Sequence, residues 1–219
     1  MELATTIHEA SNFMVILICL LLYGCSMKQE YQYEALSTGG IVLTKYYGHA
    51  STLVIPSEYD GKEVKCVTDI IKNDKDKKLK KAVVSDGIEE LGAIFVYCTS
   101  VEEVELPHSL ISLLGGDFNG CTSLTEVTIP SSVQEMGASE FYNCSNLKRV
   151  IYEDGVSGVI SHYSFYGCTS LEEVQIPASI THFADTAFDN CNPDVVLKVK
   201  KDSYAENYAI EHNLNYEYY

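Results

Sequence analysis

Cysteine is the side chain best equipped for chemistry in this chain, and spacing decides which chemistry is open to it. Cys98, Cys121, Cys144, Cys168 and Cys191 recur at intervals of 23, 23, 24 and 23 residues. Zinc sites use close pairs such as C-x2-C, and no such pair is present. With Cys19 and Cys25 at the N-terminus set aside, six cysteines remain, and an even count in an exported chain invites disulfides. Coils stacked at the strand spacing would bring equivalent Cα atoms to about 4.8 Å, inside the bridging range, so geometry leaves pairing open. Each of the five repeat cysteines, however, has a phenylalanine three residues before it: Phe95, Phe118, Phe141, Phe165 and Phe188. The same setting five times over argues for the same buried role. The expectation is reduced thiols packed as small hydrophobes.

No other residue set suggests catalysis. His8, His49, His108, His162, His182 and His212 fall out of phase with one another, and none stands at a recognisable spacing from Ser or Cys. The adjacent carboxylates Glu102-Glu103 and Glu172-Glu173 recur at one repeat position and read as solvated faces. Gly39-Gly40 and Gly115-Gly116 read as turns rather than phosphate loops. The expectation is a protein that is not an enzyme, with no cofactor and no metal. A formal net charge of −16 excludes a broad nucleic-acid footprint. The exception is the lysine run at 72, 75, 77, 78, 80 and 81. It reads as a solvated loop, with an anionic-polymer site as the alternative.

The elements that position these residues follow from the period itself. A repeat in the twenties is the signature of a solenoid. Counted from each cysteine, position +3 holds Val101, Leu124, Leu147 and Leu171, and +6 holds Val104, Val127, Val150 and Val174. Position +8 holds Leu106, Ile129, Tyr152 and Ile176; +12 holds Leu110, Val133, Val156 and Ile180; +15 holds Leu113, Met136, Val159 and Phe183. From +6 to +8 the period is two, which predicts a short strand with Val and Ile inward. Proline at +9 ends it, because proline cannot donate to a ladder. The remainder of each coil reads as a turn, a 3₁₀ segment or one helical turn. The third repeat departs, with an extra residue, Glu153 in place of proline, and Gly155 and Gly158 nearby. A loosened coil is expected there.

The words Leu124-Thr125-Glu126-Val127-Thr128-Ile129-Pro130-Ser131-Ser132-Val133 and Phe141-Tyr142-Asn143-Cys144-Ser145-Asn146-Leu147 resemble the leucine-rich repeats of BspA-like bacterial surface proteins. The resemblance covers residues 79–191 strongly and 41–71 weakly. It implies a mostly β solenoid of the α/β type: a leucine-rich repeat arc of short parallel strands. It also implies surface proteins that bind other proteins or host components, and no catalytic residues. Tyr31–Leu36 and Ile41–Tyr46 around Ser37-Thr38-Gly39-Gly40 predict an N-terminal β-hairpin cap over the first rung. Residues 203–209 resemble the terminal cap of such arrays and predict a short helix with Ser203 or Asp202 as N-cap.

The N-terminus reads as a processing segment. Phe13–Leu22 is a ten-residue apolar run of signal-peptide length, too short to span a bilayer comfortably. Leu22-Tyr23-Gly24-Cys25 resembles the bacterial lipobox, which implies acylation of Cys25, a mature chain of net charge −14 (−16 + 2, as Glu2 and Glu9 leave), and a lipid anchor at a membrane surface. A plain cleaved signal with secretion, or a short uncleaved anchor, is the alternative. The expected organisation is then signal peptide 1–24, tether 25–30, cap and degenerate repeat 31–71, lysine-rich loop 72–81, solenoid 82–197 and C-terminal cap 198–219.

Function is expected on the outward strand positions +5 and +7. These are Glu103 and Glu105, Glu126 and Thr128, Arg149 and Ile151, Glu173 and Gln175. The stripe reads either as a binding surface for a protein or cell-surface partner or as a polar sheet face, as in an envelope-organising lipoprotein with no external ligand. Five strands about 4.8 Å apart, each about five residues of ~3.3 Å, give roughly 400 Å². A standard interface uses about 800 Å² per partner. Single-copy binding is therefore expected to be weak and to gain from many copies on one surface.

Overall fold

The computed structural model describes residues 30–71 and 78–219, and Tyr31–Tyr219 forms one compact unit. The hairpin β1 (Tyr31–Ala35) and β2 (Ile41–Tyr46) opens it, followed by β3 (Thr52–Ile55) and the ribbon β4 (Glu58–Tyr59) and β5 (Lys62–Thr68). Two short strands per coil come next: β6 (Lys81–Val84) and β7 (Glu90–Gly92), β8 (Glu103–Glu105) and β9 (Ser112–Leu113), β10 (Glu126–Ile129) and β11 (Glu135–Met136), β12 (Arg149–Tyr152) and β13 (Gly158–Ile160), β14 (Glu173–Ile176) and β15 (Ile180–Phe183). The strand β16 (Val196–Val199), the helix α1 (Tyr204–Glu211) and β17 (Asn215–Tyr218) close the fold.

The strands form two walls. The front wall is β3-β6-β8 and then β10-β12-β14-β16-β17; the back wall is β1-β2-β5-β7-β9-β11 and then β13-β15. Every pair is parallel except β1 with β2 and β4 with β5. The second ribbon turns at Asp60 and Gly61, both with positive φ (55° and 69°), the backbone that tight two-residue hairpins require. The expected solenoid, hairpin cap and cap helix are all present. The back strands are an addition: only two to four residues long in the regular coils, they carry too little period-two pattern to be read from sequence.

Each coil buries its apolar set against the next. The phenylalanines stack, with ring centroids 6.2 Å apart for Phe95–Phe118, 5.3 Å for Phe118–Phe141, 5.6 Å for Phe141–Phe165 and 4.9 Å for Phe165–Phe188. The cysteines are free, and all but Cys191 of those in the described residues are buried. Their thiols do more than fill space. Cys121, Cys144 and Cys168 donate to the carbonyl oxygens of Phe95, Phe118 and Phe141 in the preceding coil, at 3.1, 3.0 and 3.0 Å. Burial pushes these thiols well above their ordinary pKa, so they stay protonated and keep the hydrogen they donate.

The segment from phenylalanine to cysteine is a β-turn in every coil: the cysteine amide donates to the phenylalanine carbonyl at 3.0–3.2 Å. Its third residue is left-handed throughout, at Tyr97, Gly120, Asn143, Gly167 and Asn190. Glycine and asparagine suit that position; Tyr97 does not.

The third repeat is loosened only at the back. Its front strand β12 pairs along its whole length with β10 and through Arg149–Ile151 with β14. Behind, no ladder joins β11 to β13, and the β13–β15 register slips at Gly158. The slip turns Val159 outward, contrary to the expected inward position, and Ile160 fills the core instead. Gly158 has φ +99°, and a Cβ there would lie 2.7 Å from the Gln134 carbonyl oxygen. Glu153, standing in for proline, accepts a hydrogen bond from the Ser131 amide at 2.9 Å.

Candidate binding face

Within each of the two runs of the front wall, β3-β6-β8 and β10-β12-β14-β16-β17, the ladder holds the outward positions in register. Lys81 lies opposite Glu103, Glu126 opposite Arg149, Arg149 opposite Glu173, and Lys198 opposite Glu217. Thr128, Ile151, Gln175, Lys198 and Glu217 line up in the second row. Glu103, Glu105, Glu126, Thr128 and Arg149 are exposed, while Ile151, Glu173 and Gln175 are half-buried. All eight stripe residues expected from the sequence therefore share this face.

Most of their charge is spent within the face. Lys81 binds both Glu103, at 2.7 Å, and Glu105, and the hydrogen bond to Glu103 is the main cause of its raised pKa. Arg149 donates from Nε and Nη2 to Glu173 Oε1 at 3.0 and 2.8 Å. Lys198 reaches Glu173 at 3.8 Å and bonds to Glu217. Lys81 belongs to β6 and Lys80 pairs with Glu102 at 2.5 Å. The end of the lysine run is thus part of a rung, not the loop expected over 72–81. Residues 72–77 lie outside the described residues, as do the signal segment and Cys25. Lys198 and Glu217 were missed because the +5 and +7 count was not carried past the last repeat cysteine.

Two positions break the pattern. Glu103 and Glu126 occupy the same repeat position in consecutive coils. Along the described front wall, this is the place where two like charges would face each other across the ladder, and no ladder joins β8 to β10; another such pair, Glu58 with Glu63, lies in the β4–β5 ribbon. Like charges directly opposite are destabilising in a sheet. The gap is a cleft of about 460 Å³ lined by Glu102, Glu103, Glu105, Glu126 and Glu153, with His108, Thr125 and Thr128 beside them and Val104, Leu106 and Pro130 as its apolar part. Glu126 is the second exception. Its register partner Arg149 turns away to Glu173, which leaves the Glu126 carboxylate facing the cleft and solvent.

Other polar side chains serve packing. His162 Nδ1 lies 2.9 Å from Thr186 Oγ1, His182 Nδ1 lies 3.3 Å from the Tyr204 hydroxyl, and the His212 ring stacks on Tyr208. Among the described residues no three His, Cys, Asp or Glu side chains converge to hold a metal ion. Nor is any helix there long and apolar enough to cross a membrane.

A family model for the BspA type leucine-rich repeat region matches residues 75–213 in six copies. The crystal structure of the T. pallidum leucine-rich repeat protein TpLRR is similar with a TM-score of 0.66 at 21% identity, over 88% of this chain and 97% of that one. A leucine-rich cell surface protein from Faecalibacterium prausnitzii A2-165 gives 0.64 at 22% identity, over 81% of this chain and 55% of that one. The pneumococcal vaccine antigen PcpA gives 0.59 at 18% identity, over 89% and 49%. The chain thus spans about half the length of these last two. No curated protein matches the sequence.

Proposed function

The chain belongs to the BspA-type leucine-rich repeat family, and on that premise we propose that it is a cell-surface binding protein of the adhesion type, whose front wall docks a protein or cell-surface partner. The observation that carries this reading is the cleft between β8 and β10. It interrupts an otherwise continuous wall, and its carboxylates are not all neutralised from within: Glu126 keeps its charge for something outside the chain. Apolar floor and acidic walls together suit a partner that offers basic side chains with long aliphatic stems. The wall is small for a standard interface, so the protein works in many copies, held at a bacterial surface by a lipid on Cys25.

The test is binding of the purified full chain, displayed in many copies on beads, to arrays of host-matrix and cell-surface proteins. Binding is expected to weaken with salt, and Glu126→Lys is expected to weaken it about tenfold or more, as expected for a desolvated charge contact. Failure to bind any component, or binding indifferent to Glu126→Lys, would remove the adhesion reading. A second reading rests on the internal pairing of Arg149, Glu173, Lys198 and Glu217. A face satisfied within itself suits an envelope-organising protein with no external ligand. Deletion that alters envelope integrity and leaves adhesion unchanged would favour it.

A further inference from the structure

One coil is held differently from its neighbours. The coil of β10 and β11 joins the preceding coil through the back ladder alone, β9 to β11. It joins the following coil through the front ladder alone, β10 to β12. Asp117 stands immediately before this coil's phenylalanine, and Glu140 holds the same position one coil later. Elsewhere that position holds Ile94, Ser164 and Ala187. Asp117 is 0% exposed and Glu140 2%.

These two carboxyls reach across the join. Glu140 Oε2 accepts the Asp117 amide hydrogen at 3.2 Å, and Asp117 Oδ2 accepts that of Gly115 at 3.4 Å. The other two oxygens, Asp117 Oδ1 and Glu140 Oε1, are buried and have no donor. The side chains lie within hydrogen-bonding reach of each other. The titratable groups that interact with them are Cys66 and Cys121 at Asp117 and Tyr152 at Glu140. None is a cation, and none of the groups acting most strongly on either carboxyl is one. Two ionised carboxylates in contact, dry and without a counter-ion, are strongly disfavoured. Two interacting carboxyls, each with an oxygen that lacks a donor, need at least one proton between them.

We propose that Asp117 and Glu140 hold one proton in common, as a carboxyl–carboxylate hydrogen bond, and that this proton makes the join between the β10–β11 coil and the next, laddered at the front alone, sensitive to pH. The proton comes from solvent and returns to it, so the pair carries one negative charge with the proton and two without. This goes beyond the binding reading and does not depend on it. Burial raises both carboxyls above their ordinary values of 3.8 and 4.5, Asp117 to about 7 and Glu140 well above its usual range. Above those ordinary values the folded chain therefore holds more protons than the unfolded chain. Stability is full at acid pH and falls as pH rises from about 4 toward neutrality and beyond.

The experiment is urea unfolding of the full chain between about pH 5 and pH 8, followed by far-ultraviolet circular dichroism. One proton released per molecule on unfolding lowers the folding constant up to about tenfold per pH unit. The doubly substituted chain, Asp117→Asn with Glu140→Gln, keeps the shape and an amide donor but cannot titrate. Its stability is expected to be nearly flat across the window in which the native chain declines. A flat native profile, or a double variant that keeps the native slope, overturns the proposal. If the variant does not fold, infrared spectroscopy of the native chain decides. A buried protonated carboxyl band at about pH 6, where exposed carboxyls are ionised, supports the shared proton, and its absence at pH 6 overturns it.

Discussion

Tyr97 occupies the left-handed third position of its turn with φ 59°, where the other coils place glycine or asparagine. A side chain with a Cβ pays roughly 1–2 kcal/mol there. Half of the Tyr97 side chain is exposed, and its ring lies over Gly120. Relief of backbone strain is thus set against loss of a partly exposed ring contact, and the first is larger. Tyr97→Gly is expected to stabilise the fold by about 1 kcal/mol, read as a higher urea midpoint. A lower midpoint would show that the ring over Gly120 outweighs the strain. The same turn shows where sequence reading ran out. The phenylalanine and cysteine of each turn were legible because they repeat in type. The left-handed residue between them changes among Tyr, Gly and Asn, so a backbone requirement hid behind varied side chains. Burial of the thiols was legible too, from their repeated neighbours. Their bonds to the phenylalanine carbonyls of the coil before were not, because an acceptor on the main chain leaves no mark in the sequence. Asp117 and Glu140 escaped notice for the opposite reason: at a glance they are two more acids in an acidic chain.

At the scale of elements, the front strands were legible and the back strands were not. Val127-Thr128-Ile129-Pro130 states its own alternation and its own stop, whereas Ser112–Leu113 and Glu135–Met136 are two residues each. Register between front strands followed from counting, and so did the eight stripe residues. What counting did not supply was the consequence of setting Glu103 beside Glu126, a pairwise effect that appears only once the coils are stacked. The cap helix was legible from its serine. Ser203 has extended backbone (φ −86°, ψ 164°), and its Oγ accepts the Glu206 amide hydrogen at 3.2 Å. Glu206 in turn accepts from the amide of Asp202, the residue before the N-cap, at 2.5 Å, so the serine half of a capping box is in place and its carboxylate reaches one residue further back. Ser203→Ala is expected to cost about 1 kcal/mol. Because α1 buries Ala205, Tyr208 and Ala209 over the last rung, hydrogen exchange should quicken first in α1 and β17 and leave β10 and β12 unchanged. Equal quickening throughout would mean that the cap is coupled to the whole array.

For the whole molecule, stability in a solenoid is a sum of coils and of joins between neighbours. The joins here are unequal. The front ladder is missing between β8 and β10, and the back ladder between β11 and β13. The coil between these gaps depends on side-chain stacking more than any other in the array. Phe118, at 0% exposure, carries that stacking, with Phe95 on one side at 6.2 Å and Phe141 on the other at 5.3 Å. Phe118→Ala removes both contacts at once and is expected to cost about 3–5 kcal/mol, against roughly 5–15 kcal/mol for a whole domain. Each side of the gap keeps a cap of its own, the β1–β2 hairpin on one and α1 on the other. The expected result is therefore a loss of coupling as well as of stability: the midpoint falls, and the slope of unfolding against urea falls with it, because less surface is exposed in each step. A lower midpoint with an undiminished slope would mean that the remaining ladders alone keep the coils folding as one.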